Sequence, residues 1–286
     1  MKHAPANDFS GTPVTENNIL TFIIPIRHQA NAKDWGALKA NLVQTIRSIA
    51  GQSDPRWRGF IVANSGADLP PLPAGFSVVH VDFPPNTLHD KGSAPLEQIY
   101  QAFRMDKGRR VLAGLIAARP QGHVMIVDDD DFVSNRLVSY VAQNPGHNGW
   151  FMRQGYVWSP GDALVYRDED FYHVCGTSHI IRADLYRVPA RFEDASADYI
   201  ARMLGSHVQI APALAADGHA LEPLPFPGAV YRIGHPGAHS KSWGLIGKCL
   251  LPGLMHGPVE FIRRLARLHR LSPGMRTEFF GVQDGV

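Results

Sequence analysis

The stretch Val124–Asn135, VMIVDDDDFVSN, runs an apolar segment straight into four consecutive aspartates, Asp128 to Asp131, before Phe132. Val124 to Val127 reads as a short buried strand. A solvated acidic turn, or a helix start favoured by the dipole, would account for one or two carboxylates there. Four in a row repel one another unless a cation offsets the charge. Oxygen-rich carboxylate sets suit hard ions such as Mg²⁺ or Mn²⁺. Side chains alternate along extended chain, so two same-side pairs are available: Asp128 with Asp130, and Asp129 with Asp131.

Working outward, Ile19 to Ile26 is a β-branched run of the buried-strand type. Asp34 to Ile49 carries Trp35, Leu38, Leu42, Ile46 and Ile49 at helical spacing, with Gly51 closing it. Strands are predicted at Gly59–Ala63 and Phe76–Val81, helical character at Leu96–Phe103, and a helix at Arg109–Ala118. Strands and helices alternating in this order argue for an α/β, mostly parallel sheet flanked by helices. Ligands of such sheets sit beyond the carboxyl ends of strands. The aspartates stand at such an end, as do Arg27–His28 and Asn64.

The second half predicts strands at Trp150–Ser159, Leu164–Tyr166, Cys175–Ile181 and Val208–Ala211. It predicts helices from Ala183 and at Asp194–Leu204, with a loop from Pro223 to Gly237. Val259 to Leu271 reads as a basic amphipathic helix: Phe261, Ile262, Leu265, Leu268 and Leu271 on one side, Arg263, Arg264, Arg267 and Arg270 on much of the rest. Its apolar side is expected to pack on its own domain, with a peripheral membrane contact as the alternative. The expected organisation is a flexible N-terminus (1–18), one domain (19–245) divided into a nucleotide-sugar half (19–135) and an acceptor half (136–245), and a C-terminal helix and tail (246–286).

Composition adds exclusions. A net charge of +2 gives no broad basic surface, so no nucleic-acid partner is expected. Cys175 and Cys249 are far apart, which argues against a disulfide framework. With no apolar leader and no run of about 20 apolar residues, a soluble cytoplasmic protein is expected, at most peripheral to the inner face of a membrane.

The chain resembles nucleotide-sugar-dependent glycosyltransferases of the GT-A fold, closest to the family 2 inverting enzymes. Four segments carry the resemblance: TFIIPIR (21–27), DKGRRVLAGLIAARPQGHVMIVDDDDFVS (106–134), SADYIARMLGSHVQI (196–210) and YRIGHPGAHSKS (231–242). Each is short; their order and spacing agree over Leu20 to Ser242. The resemblance implies a Rossmann-like GT-A domain that moves a sugar from a nucleoside-diphosphate donor, UDP-linked by preference, to a carbohydrate or glycan acceptor, with Mn²⁺ or Mg²⁺. It makes Asp128 and Asp130 the metal pair, with Asp131 helping and His235, or His239, as a further ligand. Asp129 is the aspartate expected to matter least. Donor contacts are implied for Pro25, Arg27, Asn64, Lys107, Arg110, Asp128 and Asp129. Asp198 is implied as catalytic base, with Glu193 and Asp194 as rivals. The Ala197–Asp198 pair lacks the family's preceding Glu, and Asn64 stands where the family has nucleobase-binding aspartates, with Asp68 and Asp82 nearby. Processive synthesis is not expected, because a Gln-x-x-Arg-Trp motif is absent. A sugar nucleotidyltransferase or a non-catalytic sugar-nucleotide-binding module are the alternatives.

Overall fold

The computed structural model describes residues 18–88, 94–234 and 244–281. The expectations for the N-terminal segment, His235 and His239 therefore lie outside the described residues, apart from Asn18.

The first half is doubly wound. Strand β1 (Leu20–Pro25) is buried throughout and lies between β2 (Trp57–Asn64) and β4 (His123–Ile126), parallel to both. β3 (Phe76–Val81) extends the sheet in parallel beyond β2. The period-two alternation of β1 divides its side chains between two faces. Leu20, Phe22 and Ile24 meet Leu38, Leu42 and Ile46 of helix α1 (Trp35–Ala50); Ile23 meets Val111, Leu112 and Leu115 of α2 (Leu96–Ala118). Asp34 caps α1 by accepting from the Ala37 N–H at 2.8 Å. The two helical segments predicted around Lys107 are one 23-residue helix, α2.

Among the described residues the large sheet has seven strands, in the order β10-β6-β9-β4-β1-β2-β3. β9 (His179–Arg182) runs antiparallel to β4 and to β6 (Gly149–Phe151), and β10 (Glu222–Pro223) lies parallel beside β6. A second, five-stranded sheet holds β5 (Phe132–Val133), β7 (Gly155–Trp158), β8 (Leu164–Asp168), β11 (Ala229–Arg232) and β12 (Leu268–Arg270), in the order β12-β8-β7-β11-β5. The chain thus changes sheet across the four aspartates, passing from β4 into β5. The fold is mixed α/β, a mixed sheet flanked by helices in a single domain.

The remaining helices are α3 (Leu137–Gln143), α4 (Phe171–Val174), α5 (Ala197–Tyr199), α6 (His207–Ala216), α7 (Leu251–Met255), α8 (Pro258–Leu265) and α9 (Pro273–Phe280). Several differ from expectation for physical reasons. Val208–Ala211 belongs to α6, where Ile210 and Leu214, four apart, bury one helical face. The predicted helix at 194–204 begins only at Ala197, where Ser196 accepts from the Tyr199 N–H, and then widens into a π-turn at Ile200–Leu204. The predicted loop at 223–237 contains β11, its strand signal hidden by flanking proline and glycine. The predicted helix at 259–271 stops at Leu265, because Leu268–Arg270 pairs with the open edge of β8. The C-terminal segment is integral: Phe279 is buried against β5 and β11. Among the described residues no helix is long and apolar enough to cross a membrane.

Two glycines let α2 and the π-turn touch backbone to backbone. A Cβ on Gly108 would lie 2.2 Å from the Ile200 carbonyl oxygen, and one on Gly205 would lie 2.0 Å from the Arg104 carbonyl oxygen. Neither obstacle is a movable side chain. Gly205→Ala is expected to destabilise by about 3 kcal/mol through overpacking. Thermal melting should then show Tm lowered by about 6 °C or more.

Candidate functional site

Helix α1 and the turn that follows it present an unusual polar stripe to the protein interior. Thr45 Oγ donates to the Asp129 carbonyl at 3.2 Å, Ser48 Oγ bridges the N–H and C=O of Val133, and Gln52 donates to the Ser134 carbonyl. These bonds satisfy backbone groups that the change of sheet would leave orphaned. They fix the aspartate turn, which the Asp131 N–H closes on the Asp128 carbonyl at 3.2 Å.

The four carboxylates then diverge. Asp128, Asp129 and Asp130 face a cleft of ≈ 390 Å³ at the carboxyl ends of β1 and β4. Lys107 of α2 reaches Asp128 Oδ1 at 2.5 Å, and Thr177 Oγ accepts from the Asp128 N–H at 2.9 Å. Burial lowers the Lys107 pKa, but Asp128 more than offsets it, so the ammonium is held above its ordinary value. Arg27 stands 3.9 Å from Asp129. Burial, with Asp130 and Asp128 alongside, raises the Asp129 carboxyl to about 6 against the pull of Arg27. Asp131 turns away from the cleft and is fully buried; it accepts from Cys175 Sγ at 3.2 Å and from the Arg232 N–H at 3.2 Å. Burial and the charges of Asp130 and Asp128 push its carboxyl well above the carboxylate range. The structure therefore separates Asp131 from the two carboxylates it was expected to assist.

Cations line the same cleft: Arg27, Arg104, Lys107, Arg110 and Arg232. Arg110 is buried, held by Asp106 at 3.3 Å and by Asn64 Oδ1 at 2.8 Å. The other end of the Asn64 amide donates to the Phe83 carbonyl at 2.7 Å. Asn64, expected as a donor contact, is thus committed internally: it orients Arg110 and is not among the residues that line the cleft. Asp68 is engaged by Lys39 instead. Arg232 is also buried, its Nη atoms donating to Asn41 at 2.5 Å and Gln44 at 3.2 Å. Its Nε has no partner in this structure. Pro25 lines the cleft as expected.

Asp198 does not join them. Its side chain is 74% exposed on α5 and pairs with Arg202 at 3.4 Å. Asp194 pairs with Arg191, and neither Asp194 nor Glu193 lines the cleft. The acid–base group the cleft does contain is His207, at the start of α6, which the sequence reading placed at the edge of a strand and passed over. Burial, then the charge of Lys107, lowers its pKa and keeps the imidazole neutral. Tyr100 and Phe103 of α2 and Tyr231 of β11 supply aromatic wall, also missed.

Only oxygen donors are offered by the cleft's carboxylates, which suits Mg²⁺ or Mn²⁺. Among the described residues no three His, Cys, Asp or Glu side chains converge to hold a metal by themselves. A cation held by one or two carboxylates and completed by substrate phosphates does not require such a cluster, and Asp128 with Asp130 fit that arrangement.

No family model and no curated protein matches the chain. Among solved structures, residues 1–349 of TarS from S. aureus align over 75% of this chain at 12% identity and a TM-score of 0.39. This chain covers 60% of that one. So distant a likeness says nothing of substrate or chemistry.

Proposed function

We propose that this chain is a GT-A-type glycosyltransferase that moves a sugar from a nucleoside-diphosphate donor to an acceptor hydroxyl with inversion, without processive polymerisation. The observation that carries the reading is the joint lining of one cleft, at parallel strand ends, by Asp128, Asp129 and Asp130 together with five basic side chains. A polyanion alone would call for the bases, and a cation alone for the acids. A metal–diphosphate pair calls for both.

Arg27, Lys107, Arg110 and Arg232 would grip the diphosphate, Arg110 and Arg232 pre-oriented by their amide partners. Asp128 and Asp130 would hold Mn²⁺ or Mg²⁺, which when bound stabilises the departing diphosphate. His207 would take the acceptor hydroxyl proton, a role its neutral state permits. The exposed setting of Asp198 supports a second reading, a sugar-nucleotide-binding module without turnover.

Thermal shift and turnover of a nucleotide-sugar panel separate these. Tm should rise with UDP plus Mn²⁺ more than with either alone, and donor should be consumed. Binding without turnover leaves the module. If no nucleoside diphosphate raises Tm, both readings fail.

Gly176 offers a more local check. A Cβ there would lie 2.4 Å from Asp128 Oδ2 and 2.7 Å from Lys107 Nζ. Both obstacles are movable side-chain ends, so Gly176→Ala should pry the pair apart at little cost to Tm. Calorimetry should show UDP–Mn²⁺ affinity lowered by about tenfold, the loss of one charge-assisted contact.

A further inference from the structure

The C-terminal helices leave an apolar surface uncovered. α8 has no buried residue, and Val259 and Ile262 are 70% and 64% exposed on the arc that Leu265 continues. Met255 of α7, at 88% exposure, stands at its head. Of the face expected to pack on its own domain, Leu271 is buried and Leu268 packs against the core, whereas Ile262 and Leu265 stay exposed. Charge accompanies it: Gly244 to Gly281 carries six Lys and Arg against two Glu, a net +4 on a chain whose total is +2. Arg263 flanks Val259 one helical turn on, and its partner Glu260 is shared with Arg264, so positive charge remains. The turn that leads into α7, Ile246–Leu250, reaches the cleft, because its Lys248 stands 4.1 Å over the ring of Tyr231, which lines it.

We propose that α7 and α8 form a docking surface for an anionic lipid bilayer. A projecting ridge of apolar side chains flanked by arginine suits the boundary between headgroups and acyl chains. A symmetric contact with a second copy would bring the same basic segment against itself, which like charge opposes. The placement beside Tyr231 would set the cleft close to the bilayer surface. This inference is independent of the donor reading.

The test is co-sedimentation of the full chain with phosphatidylcholine vesicles, with and without phosphatidylglycerol. Binding is expected to the anionic vesicles only and to fade with added salt. Ile262→Glu should abolish it, and Arg263→Gln should weaken it about fivefold. Both variants should keep the wild-type Tm, because these side chains are exposed. The proposal is overturned if anionic vesicles do not bind, or if Ile262→Glu binds like wild type. It is equally overturned if the wild type forms a dimer that Ile262→Glu dissolves.

Discussion

Asp130→Asn is expected to lower kcat for donor consumption by about 10³-fold, the scale of losing one charged group at a metal–phosphate centre. Asp131→Asn, one residue away, should leave kcat within about tenfold, less than 1.4 kcal/mol of barrier. The two carboxyls differ in surroundings. Asp130 faces the cleft. Asp131 is fully buried and accepts from Cys175 and Arg232. An asparagine at 131 would turn an amide N–H₂ toward one of these two donors and leave a buried group unsatisfied, at a cost of about 1–3 kcal/mol. The signature is therefore crossed: activity falls at 130 with Tm retained, and Tm falls at 131 with activity retained. Steady-state kinetics with melting curves on both variants decide it. Equal loss of kcat at the two positions would put Asp131 back among the metal ligands and defeat the assignment.

The doubly wound half was legible because its signals are local and one-dimensional. β1 is buried at every position and apolar at all but Thr21 because both of its faces are covered, and α1 repeats its apolar residues at helical spacing. The second half was not legible, because its short strands are defined by distant partners. β5 has two residues and pairs with β11, almost 100 positions later; β12 exists because β8 offers an edge. No local pattern encodes such pairings, so Leu268–Arg270 looked like the continuation of an arginine-rich helix.

The site was legible to the same depth. Four adjacent aspartates at a strand end declare themselves, but their divergence depends on which neighbour each meets: Lys107 for Asp128, Arg27 for Asp129, the charge of Arg232 for Asp130 and Cys175 for Asp131. The cation wall was nearly readable. Tyr100, Phe103, Arg104, Lys107 and Arg110 recur every three or four residues and line one side of the cleft. The stripe appears only when 96–118 is taken as one helix, whereas the sequence reads as two helical segments, Leu96–Phe103 and Arg109–Ala118. Gly108 is there for contact with Ile200, which sequence cannot show. Asn64 and Asp198 lie outside the cleft lining for another reason. A motif position fixes where a residue falls along the chain, not whether Arg110 or Arg202 already occupies its side chain.

Acid unfolding should turn on His179. This imidazole is buried on β9 beside the cleft, with Nδ1 3.1 Å from Ser178 Oγ and Nε2 without a partner in this structure. Burial pushes its pKa to about 3, with His207 and His173 acting in the same direction. The unfolded chain protonates at about 6.5, so below that pH it binds a proton the native state refuses. Stability is then present above pH 6.5 and lost as pH falls toward 3, by about 3 kcal/mol between pH 7 and pH 4. Asp129 acts with the opposite sign. Its carboxyl, raised to about 6, binds its proton in the native state first, so its stability contribution is present at low pH and is lost as pH rises from about 4 to 6. Wild-type stability combines these opposed slopes with that of Asp131, which acts in the sense of Asp129, and that of His207, which acts in the sense of His179. Single variants expose each slope. His179→Gln, less stable than wild type at pH 7 through lost packing, should regain about 3 kcal/mol relative to it by pH 4. Asp129→Asn should gain on wild type in the other direction, from pH 4 to pH 6. Urea midpoints of the three proteins across this range measure both differences. Parallel curves for His179→Gln and wild type would mean that the imidazole takes up its proton without unfolding, through solvent entering beside His207.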